Sequence, residues 1–345
     1  MPNVTLRLGF LGAGLIARYH AASLGQGGAD ATIATVYDPD RERADDFAAR
    51  FGCRVVADAA AALDGVDAVY VCTWTAAHLE LVGAAVERNL AVFCEKPLAV
   101  DLAGAAAMTA LVQQRGVTHA VGLVLRSTLG FSLVKELVAE PLAGRLMSVN
   151  FRDDQLIPLG GYYGSTWRGD VAKAGAGTLL EHSIHDLDLL EWLCGPLAGV
   201  SALSANFHGN PGIEDDAAVL LRFRAGGLGT LSSIWHDLPG RLSNRRVEIF
   251  TEKCRIVAEG NAAEDVRWEY LSGGDTISAT ADAQADELRR RGVALPGNAD
   301  VAFVDAATRR LPTQPDFAVA LRAHRLADAV YRSAGGSVPG AAVEV

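Results

Sequence analysis

The first 125 residues alternate between short apolar runs and helical patterns, and this alternation constrains the fold more than any other feature. Each apolar run has the length of a strand and precedes a stretch with helical periodicity. The predicted strands cover residues 4–11, 31–38, 67–73, 91–96 and 118–125. Strands that alternate with helices are joined by crossover connections, which place them parallel in one sheet. The sequence therefore predicts an α/β fold whose first domain, residues 1–125, contains a doubly wound parallel sheet.

After about residue 126 the pattern changes to a succession of strands. Two predicted helices come first, near 131–140 and 178–193. They are followed by extended segments between residues 201 and 260 that only short turns separate. Strands that follow one another without a helix pair in antiparallel fashion. We therefore expect residues 126–345 to form an α+β domain with a large, mostly antiparallel open sheet. Its last helix, about 316–334, could pack back on the first domain.

Composition excludes several classes of protein. The net charge of −10 gives no electrostatic reason to expect DNA or RNA binding, so no nucleic-acid partner is expected, although a local basic patch is compatible with that average. No apolar stretch approaches the roughly 20 residues of a membrane helix, and the chain enters a strand pattern without a signal-peptide region, so we expect a cytoplasmic protein with no membrane partner. The short basic runs Arg245-Arg246 and Arg289–Arg291 are interpreted as solvated surface.

The cysteines point to reduced thiols. Their number is odd and no two form a C-x-x-C pair, which is typical of structural thiols in a reducing compartment and not of a disulfide framework or a zinc site. The five are Cys53, Cys72, Cys94, Cys194 and Cys254.

A glycine loop follows the first predicted strand. Residues 12–17, Gly-Ala-Gly-Leu-Ile-Ala, match G-x-G-x-x-G/A between a strand and a helix, the context that the motif requires. Gly12 allows a tight turn, and Gly14 lets the backbone approach a pyrophosphate. The free N–H groups at the start of the helix would bind the phosphates. The loop predicts a Rossmann domain, with cofactor contacts from Gly12, Gly14, Leu15 and Ile16.

Asp38 ends the second predicted strand. A carboxylate at this place accepts hydrogen bonds from the adenosine ribose and repels a 2′-phosphate, which favours NAD over NADP. NADP stays open, because Arg41 and Arg43 follow closely and could reach a phosphate. The alternative is that Asp38 only starts the turn at Asp38-Pro39.

Four ordered segments carry a resemblance to a known family. They are GFLGAGLIARYH at 9–20, CTWTAAH at 72–78, EKPLA at 95–99 and GAGTLLEHSIHDLDLLEWL at 175–193. In this order they resemble the Gfo/Idh/MocA family, named for glucose–fructose oxidoreductase, inositol dehydrogenase and a rhizopine-catabolism protein. The resemblance implies an NAD(P)-dependent oxidoreductase. Such an enzyme transfers hydride between nicotinamide and a secondary alcohol or ketone of a sugar, inositol or related polyol.

The Glu-Lys-Pro element is the most specific of the four. The resemblance implies that Lys96 reaches both the nicotinamide ribose and the substrate, where it polarises the carbonyl or lowers the pKa of the alcohol. Glu95 is expected beside the cofactor, and the Lys96–Pro97 peptide is expected to be cis. The alternative reading of Lys96 is a surface lysine at a strand end.

The second catalytic element departs from the family pattern D-x-G-x-H. This chain has Glu181-His182-Ser183-Ile184-His185, so His185 aligns with the family's catalytic histidine and Glu181 replaces the aspartate. We expect His185 to be the principal base, with Glu181 assisting. On one continuous helix, Glu181, His185 and Asp188 would form a polar stripe. The alternative for His185 is a histidine that binds a buried backbone group, and the alternative for Glu181 is an acid that stabilises a helix N-terminus.

His182 and His185 lack a third ligand at a useful spacing, so no metal is expected.

Further contacts are predicted around these elements. Thr73 and His78 follow a strand at the edge of the cofactor crevice and are expected to contact the cofactor. Substrate contacts are expected from His185 and from the polar and aromatic side chains Arg126, Tyr163, Trp167 and Arg168, with loop packing as the alternative. Arg152 and Asp154 could form ion pairs between domains or subunits instead.

Three functions are compatible with these patterns. The first is a dehydrogenase or reductase. The second keeps the cofactor bound and uses transient oxidation for elimination, epimerisation or glycoside cleavage. The third is a non-catalytic nucleotide sensor, which the presence of both Lys96 and His185 argues against. Because the open sheet commonly pairs with another subunit in the family, a homodimer or homotetramer is expected.

Overall fold

The computed structural model describes residues 5–273, 276–335 and 340–345. Its strands are β1 Leu6–Leu11, β2 Ala31–Tyr37, β3 Arg54–Val55, β4 Ala68–Val71, β5 Ala91–Cys94, β6 His119–Val121, β7 Leu146–Leu156, β8 Leu197–Ala205, β9 Asp216–Phe223, β10 Leu228–His236, β11 Ser243–Thr251, β12 Cys254–Glu259, β13 Asp265–Tyr270, β14 Ile277–Thr280 and β15 Val343–Glu344. Its α-helices are α1 Leu15–Gln26, α2 Arg41–Phe51, α3 Ala59–Ala62, α4 His78–Glu87, α5 Leu102–Arg115, α6 Leu129–Ala139, α7 Val171–Ala174, α8 Thr178–Glu181, α9 Ile184–Cys194, α10 Ala281–Arg290, α11 Ala299–Arg309 and α12 Phe317–Gly335.

The chain divides into two compact units. The first contains the described residues up to Leu123 together with Ala172–Gly175 and Gly297–Arg322. The second contains Val124–Val171, the described part of Ala176–Pro296, and the described residues from Ala323 onward. The sequence-based division at residues 125 and 126 placed all later residues in the second domain. The structure assigns 172–175 and 297–322 to the first unit, where α11 packs on α1.

The described residues of the first unit form a six-stranded sheet in the order β3-β2-β1-β4-β5-β6. All its neighbouring strands are parallel. This is the doubly wound order, in which the strand sequence reverses between β1 and β4 and a crevice opens at the carboxyl ends. The loops after β1, β4 and β5 therefore lie along one edge, which we call the carboxyl edge.

Burial on both faces explains the continuous apolar runs of the central strands. Val69 and Val71 of β4 face one hydrophobic cluster, together with residues of α4 and α5. Ala68 and Tyr70 face the other cluster, which contains Phe10 and residues of α1, α2 and α11. A strand that is buried on both sides cannot show polar alternation, so its sequence reads as one apolar run.

The described residues of the second unit form a nine-stranded sheet in the order β14-β13-β12-β11-β7-β10-β9-β8-β15. The pair β7–β10 is parallel, and the remaining pairs that the described residues form are antiparallel. Helices including α6, α9 and α12 contribute to the hydrophobic core of this unit. Alternate residues of β9 are exposed, including Leu220. The predicted parallel sheet and large, mostly antiparallel sheet are both confirmed.

The structure departs from the prediction in three places. The predicted helix 178–193 is two helices, α8 and α9, which His182 and Ser183 separate. The predicted strand 118–125 is only β6, because a 3-10 turn begins at Val124. Helices α10 and α11 lie in a region where the sequence suggested no element. None of the described helices is long and apolar enough to cross a membrane.

Candidate active site

The glycine loop connects β1 to α1 at the carboxyl edge. Gly12 has φ +94°, and a Cβ there would come within 2.4 Å of the Cys72 carbonyl oxygen, so the loops after β1 and β4 approach too closely for any other residue. A Cβ on Gly14 would meet no atom within 4 Å. No described side chain caps the first N–H groups of α1, and its first turn holds no acidic residue. These features fit a pyrophosphate at the helix N-terminus.

Asp38 connects the loops after β2 and β1. Its Oδ2 accepts the N–H of Ala13 at 2.8 Å, and its Oδ1 accepts the N–H of Asp40 at 2.9 Å. Asp38 therefore stabilises both the glycine loop and its own turn. Arg43 lies 3.4 Å from Asp40 and 3.8 Å from Asp38, while Arg41 pairs with Asp45. The two arginines that could favour NADP are thus paired with carboxylates.

The loops after β4 and β5 are held together by His78. This buried side chain places Nδ1 2.9 Å from the Pro97 carbonyl oxygen and Nε2 3.2 Å from that of Thr73. His78 therefore lies between Thr73 and the Glu-Lys-Pro loop. The position indicates that it shapes the carboxyl edge, a role that the sequence analysis did not anticipate.

Lys96 follows β5 at the same edge, and the Lys96–Pro97 peptide is cis, as the resemblance implied. Glu95 is buried. Its Oε1 lies 3.0 Å from His20 Nε2, and its Oε2 accepts the backbone N–H of Lys96 at 3.2 Å. His20 Nδ1 lies 2.8 Å from Asp300 Oδ1. The structure thus places the Glu95 carboxylate in a buried ionic row. His20 is the last residue of segment 9–20, one of the four segments that carry the family resemblance. No sequence pattern pointed to Asp300.

In the second unit, Glu181 ends α8. Its buried carboxylate Oε2 lies 3.1 Å from Nε of Arg168, whose guanidinium stacks 4.4 Å from the ring centre of Trp167. Glu181, which was predicted to assist catalysis, therefore forms one cluster in this unit with Trp167 and Arg168, which were predicted to contact substrate. Tyr163 lies in the same loop region, and its hydroxyl donates to the Leu242 carbonyl at 3.2 Å.

The predicted polar stripe along one helix is wrong. Glu181 lies in α8, whereas His185 lies in the first turn of α9, beyond the break at His182 and Ser183. Asp188 forms a bidentate ion pair with Arg126, whose Nε lies 2.7 Å from Oδ2. Arg126 was expected to contact substrate, but in the structure its guanidinium is bound to the Asp188 carboxylate.

Glu214 supports the start of α8. Its carboxylate accepts the N–H groups of Gly177 at 2.8 Å and Leu179 at 3.0 Å, and Tyr331 donates its hydroxyl at 2.8 Å. Burial raises the pKa of Glu214, although these hydrogen bonds act in the opposite direction. No sequence pattern singled out this capping residue, because it lies 37 residues beyond Gly177.

A buried polar cluster lies at the α8–α9 break. Arg245 Nε lies 2.6 Å from Asp186 Oδ1, and Arg245 Nη2 lies 3.4 Å from Asp153 Oδ2. His182 Nε2 lies 3.0 Å from the same Asp153 oxygen, and the Ser183 hydroxyl also donates to it at 3.0 Å. Arg245 is 2% exposed, so the interpretation of this residue as solvated surface is wrong. Arg246, its neighbour in the basic run, pairs with Glu259 and remains partly exposed.

His182 is thus one partner of a buried aspartate. Among the residues that the structure describes, no group of three or more His, Cys, Asp or Glu side chains could hold a metal ion. Arg152 and Asp154, considered above for contacts between domains or subunits, form an ion pair with each other within the second unit, at 3.0 Å.

Two family models match the chain. Residues 6–123 match an oxidoreductase family with an NAD-binding Rossmann fold, and residues 131–257 match the GFO/IDH/MocA C-terminal domain. The chain is 30% identical over 264 residues to the myo-inositol 2-dehydrogenase of Thermotoga maritima, which covers 74% of this chain and 75% of that one. The chain belongs to the Gfo/Idh/MocA family.

Two other comparisons cover nearly the whole chain. The inositol 2-dehydrogenase of Rhizobium meliloti is 27% identical over 338 residues, 96% of this chain and 97% of that one. The structure of the WlbA dehydrogenase from Bordetella pertussis in complex with NADH and UDP-GlcNAcA has a TM-score of 0.87 at 23% identity, covering 100% of this chain and 99% of that one. The second likeness shows the fold.

This Gfo/Idh/MocA protein is therefore an NAD(P)-dependent oxidoreductase with an NAD-binding Rossmann domain. The roles of Lys96, His185 and Glu181 stay predictions. Glutamate stands at position 181 where the family pattern has aspartate. Its longer side chain brings the carboxylate to the guanidinium of Arg168.

Alanine substitutions at the two glycines of the loop should distinguish an effect on folding from an effect on cofactor binding. Gly12→Ala introduces both a clash with Cys72 and an unfavourable φ, so we expect the free energy of unfolding to fall by about 1–3 kcal/mol. Gly14→Ala meets no protein atom, so the free energy of unfolding should stay within about 0.5 kcal/mol of wild type. Its methyl group would stand where the pyrophosphate is predicted to approach, so NADH binding should weaken by roughly tenfold or more. Denaturant titration and NADH fluorescence titration measure the two effects. Wild-type NADH affinity in Gly14→Ala would contradict this placement of the cofactor.

Asp186 makes the stability of the second unit depend on pH. Burial and the neighbouring Asp153 outweigh the charge of Arg245 and raise the pKa of Asp186 to about 8. Between pH 3.8 and about 8 the unfolded chain loses this proton while the folded chain keeps it, so folding weakens as pH rises. Asp186→Asn has the shape of the protonated acid and cannot ionise. Its stability relative to wild type should therefore rise with pH across this window, by up to about 1.4 kcal/mol per pH unit.

Chemical denaturation at a series of pH values tests this expectation. Asp305→Asn, at an exposed position on α11, is the matched control and should differ from wild type by the same amount at every pH. A constant difference for Asp186→Asn as well would show that Asp186 is ionised throughout.

Proposed function

We propose that this protein oxidises a secondary hydroxyl of a cyclic polyol or sugar, with inositols as the leading substrate class and NAD as the cofactor. The observation that carries the proposal is the position of Lys96, at the carboxyl edge that also holds the glycine loop and Asp38. An amine at this edge has the place required to act next to a bound nicotinamide. Two relatives named as inositol 2-dehydrogenases support the substrate class.

NAD, when bound, supplies the acceptor for the hydride. In the proposed mechanism, Lys96 donates a hydrogen bond to the substrate oxygen and stabilises the negative charge that develops on it. His185 accepts the hydroxyl proton, a role suited to an imidazole near neutral pH. Glu181 contributes through its pair with Arg168, which fixes the guanidinium against Trp167.

The substrate contacts stay predictions. Trp167 offers a flat apolar ring, and Arg168 and Tyr163 offer donors, a combination suited to the apolar and hydroxylated faces of a ring polyol. Arg126 is the weakest of the predicted contacts, because Asp188 already binds its guanidinium through two hydrogen bonds.

The preference for NAD over NADP is proposed from Asp38. Its carboxylate is fixed by two backbone N–H groups, and a 2′-phosphate there would meet its negative charge. The carboxylate partners of Arg41 and Arg43 reduce what these arginines can offer a phosphate.

A homodimer or homotetramer is also proposed. Leu203, Leu220 and Leu228 are each about 60% exposed on strands of the large sheet, an apolar surface that a second subunit could cover. A cytoplasmic location stays a prediction. The five cysteines, all free in the described structure, are compatible with it.

Substitution of Lys96 tests the catalytic assignment. Lys96→Ala should lower kcat for the oxidation of myo-inositol or another active polyol by roughly 10²–10⁴-fold, while the Kd for NADH changes only a few-fold. His185→Asn should lower kcat to a similar degree. The exposed Lys253→Ala is the matched control and should leave both quantities unchanged. Absorbance near 340 nm measures turnover. Undiminished turnover in Lys96→Ala would refute the role of the amine.

A further inference from the structure

Three charged side chains from distant parts of the first unit form a buried row. His20 on α1 lies between Glu95, which follows β5, and Asp300 in the first turn of α11, at 3.0 Å and 2.8 Å. Their side chains are 0%, 7% and 3% exposed, respectively. The three residues come from segments that the sequence separates by up to 280 positions.

The geometry fixes the charge state of the row. A neutral imidazole has one N–H, so one of the two buried carboxylates would face a lone pair. The imidazolium form donates to both. Burial lowers the pKa of His20, but the hydrogen bonds and charges of Asp300 and Glu95 outweigh it and raise the pKa to about 9. His20 is therefore an imidazolium at neutral pH and donates to both side chains.

The surroundings leave the row little freedom. A Cβ on Gly122 would come within 2.1 Å of Glu95 Oε1, so the carboxylate packs directly on the loop after β6. The ring of Phe93 lies edge-on to His20, with 4.8 Å between ring centres. The titratable side chains that sense these charges have raised pKa values, from burial first, and stay neutral at neutral pH: Tyr19, Tyr70, Cys72 and Cys94.

At one end of the row, Glu95 contacts the backbone of Lys96. Glu95 uses one oxygen for His20 and the other for the backbone N–H of Lys96, at 3.2 Å. We propose that His20 and Asp300 are positioning residues for Lys96, because they hold the Glu95 carboxylate that fixes the backbone from which the amine extends. The catalytic use of Lys96 rests on the proposed function, but its anchoring by the row can be tested without any substrate.

The scarcity of lysine makes a direct test possible. The sequence contains only Lys96, Lys135, Lys173 and Lys253, so reductive methylation of the full chain with ¹³C-formaldehyde gives few NMR signals. Lys96→Arg identifies the signal of Lys96. In wild type, the Lys96 methyl signal should show an inflection at the pH at which ¹³C-labelled His20 loses its proton. A Lys96 signal that is insensitive to the titration of His20 would overturn the proposal.

Asp300→Asn provides the second arm. Loss of one carboxylate should lower the pH at which His20 titrates, and the Lys96 signal should shift or split while the other lysine signals stay in place. Asp305→Asn, exposed on the same helix, is the control and should leave all the signals unchanged. A Lys96 signal identical to wild type in folded Asp300→Asn would contradict the anchoring. If Asp300→Asn does not fold, the titration of the wild-type protein alone tests whether the row anchors Lys96.

Steady-state kinetics distinguish a role of Asp300 in positioning Lys96 from a role in stability alone. Once a substrate is found, Asp300→Asn should lower kcat by roughly 10- to 100-fold, the loss expected from a misplaced catalytic group, with KM nearly unchanged. An altered Lys96 signal without any detectable polyol oxidation by wild type would disprove the proposed function and leave the anchoring intact.

Discussion

The contact between Gly12 and the carbonyl of Cys72 is the constraint on which the candidate cofactor site depends. It brings the loops after β1 and β4 within van der Waals distance at the point where the strand order reverses. Asp38, His78 and Glu95 then connect the remaining loops of the carboxyl edge through hydrogen bonds. A candidate phosphate-binding turn and a candidate catalytic lysine thus lie on one edge whose loops are joined by these contacts. Support of this kind favours precise placement of reacting groups.

The second unit relies on buried charge around its candidate base. Arg245, Asp153 and Asp186 are almost completely buried beside the break before α9, the helix that carries His185. A buried guanidinium such as that of Arg245 is costly to desolvate, and removing one of its partners would leave it uncompensated. Such groups concentrate at functional sites, and their place here supports the proposed function of this region.

Much of the fold could be predicted from the sequence because its signals are local. Strand and helix periods, the glycine loop and the Glu-Lys-Pro segment all lie within short windows. The break at His182 and Ser183 could not be predicted in this way, since the apolar spacing of Leu180, Ile184 and Leu187 suits one continuous helix. At the break, Asp153 of β7 accepts the Ser183 hydroxyl and Arg245 of β11 lies beside His182, and both come from distant parts of the sequence. Asp300 was missed for a similar reason, because its partner His20 is 280 residues away.

The burial of Arg245 was predictable and was nevertheless missed. Neighbouring residues of a strand point to opposite faces, so in a strand that contains Arg245-Arg246 one arginine must face inward. The structure shows this arrangement, with Arg245 inside and Arg246 paired with Glu259 on the other face. A basic run within a predicted strand therefore differs from a basic run within a loop.

In the proposed function, hydride moves from a secondary carbon of a polyol to NAD. The most direct measurement incubates the protein and NAD with myo-inositol deuterated on its ring carbons, and determines by mass spectrometry where the deuterium goes. Direct hydride transfer should give one deuterium in the released NADH and an inosose that lacks it. A product formed with no deuterium left in released NADH, as in transient oxidation with a retained cofactor, would contradict it.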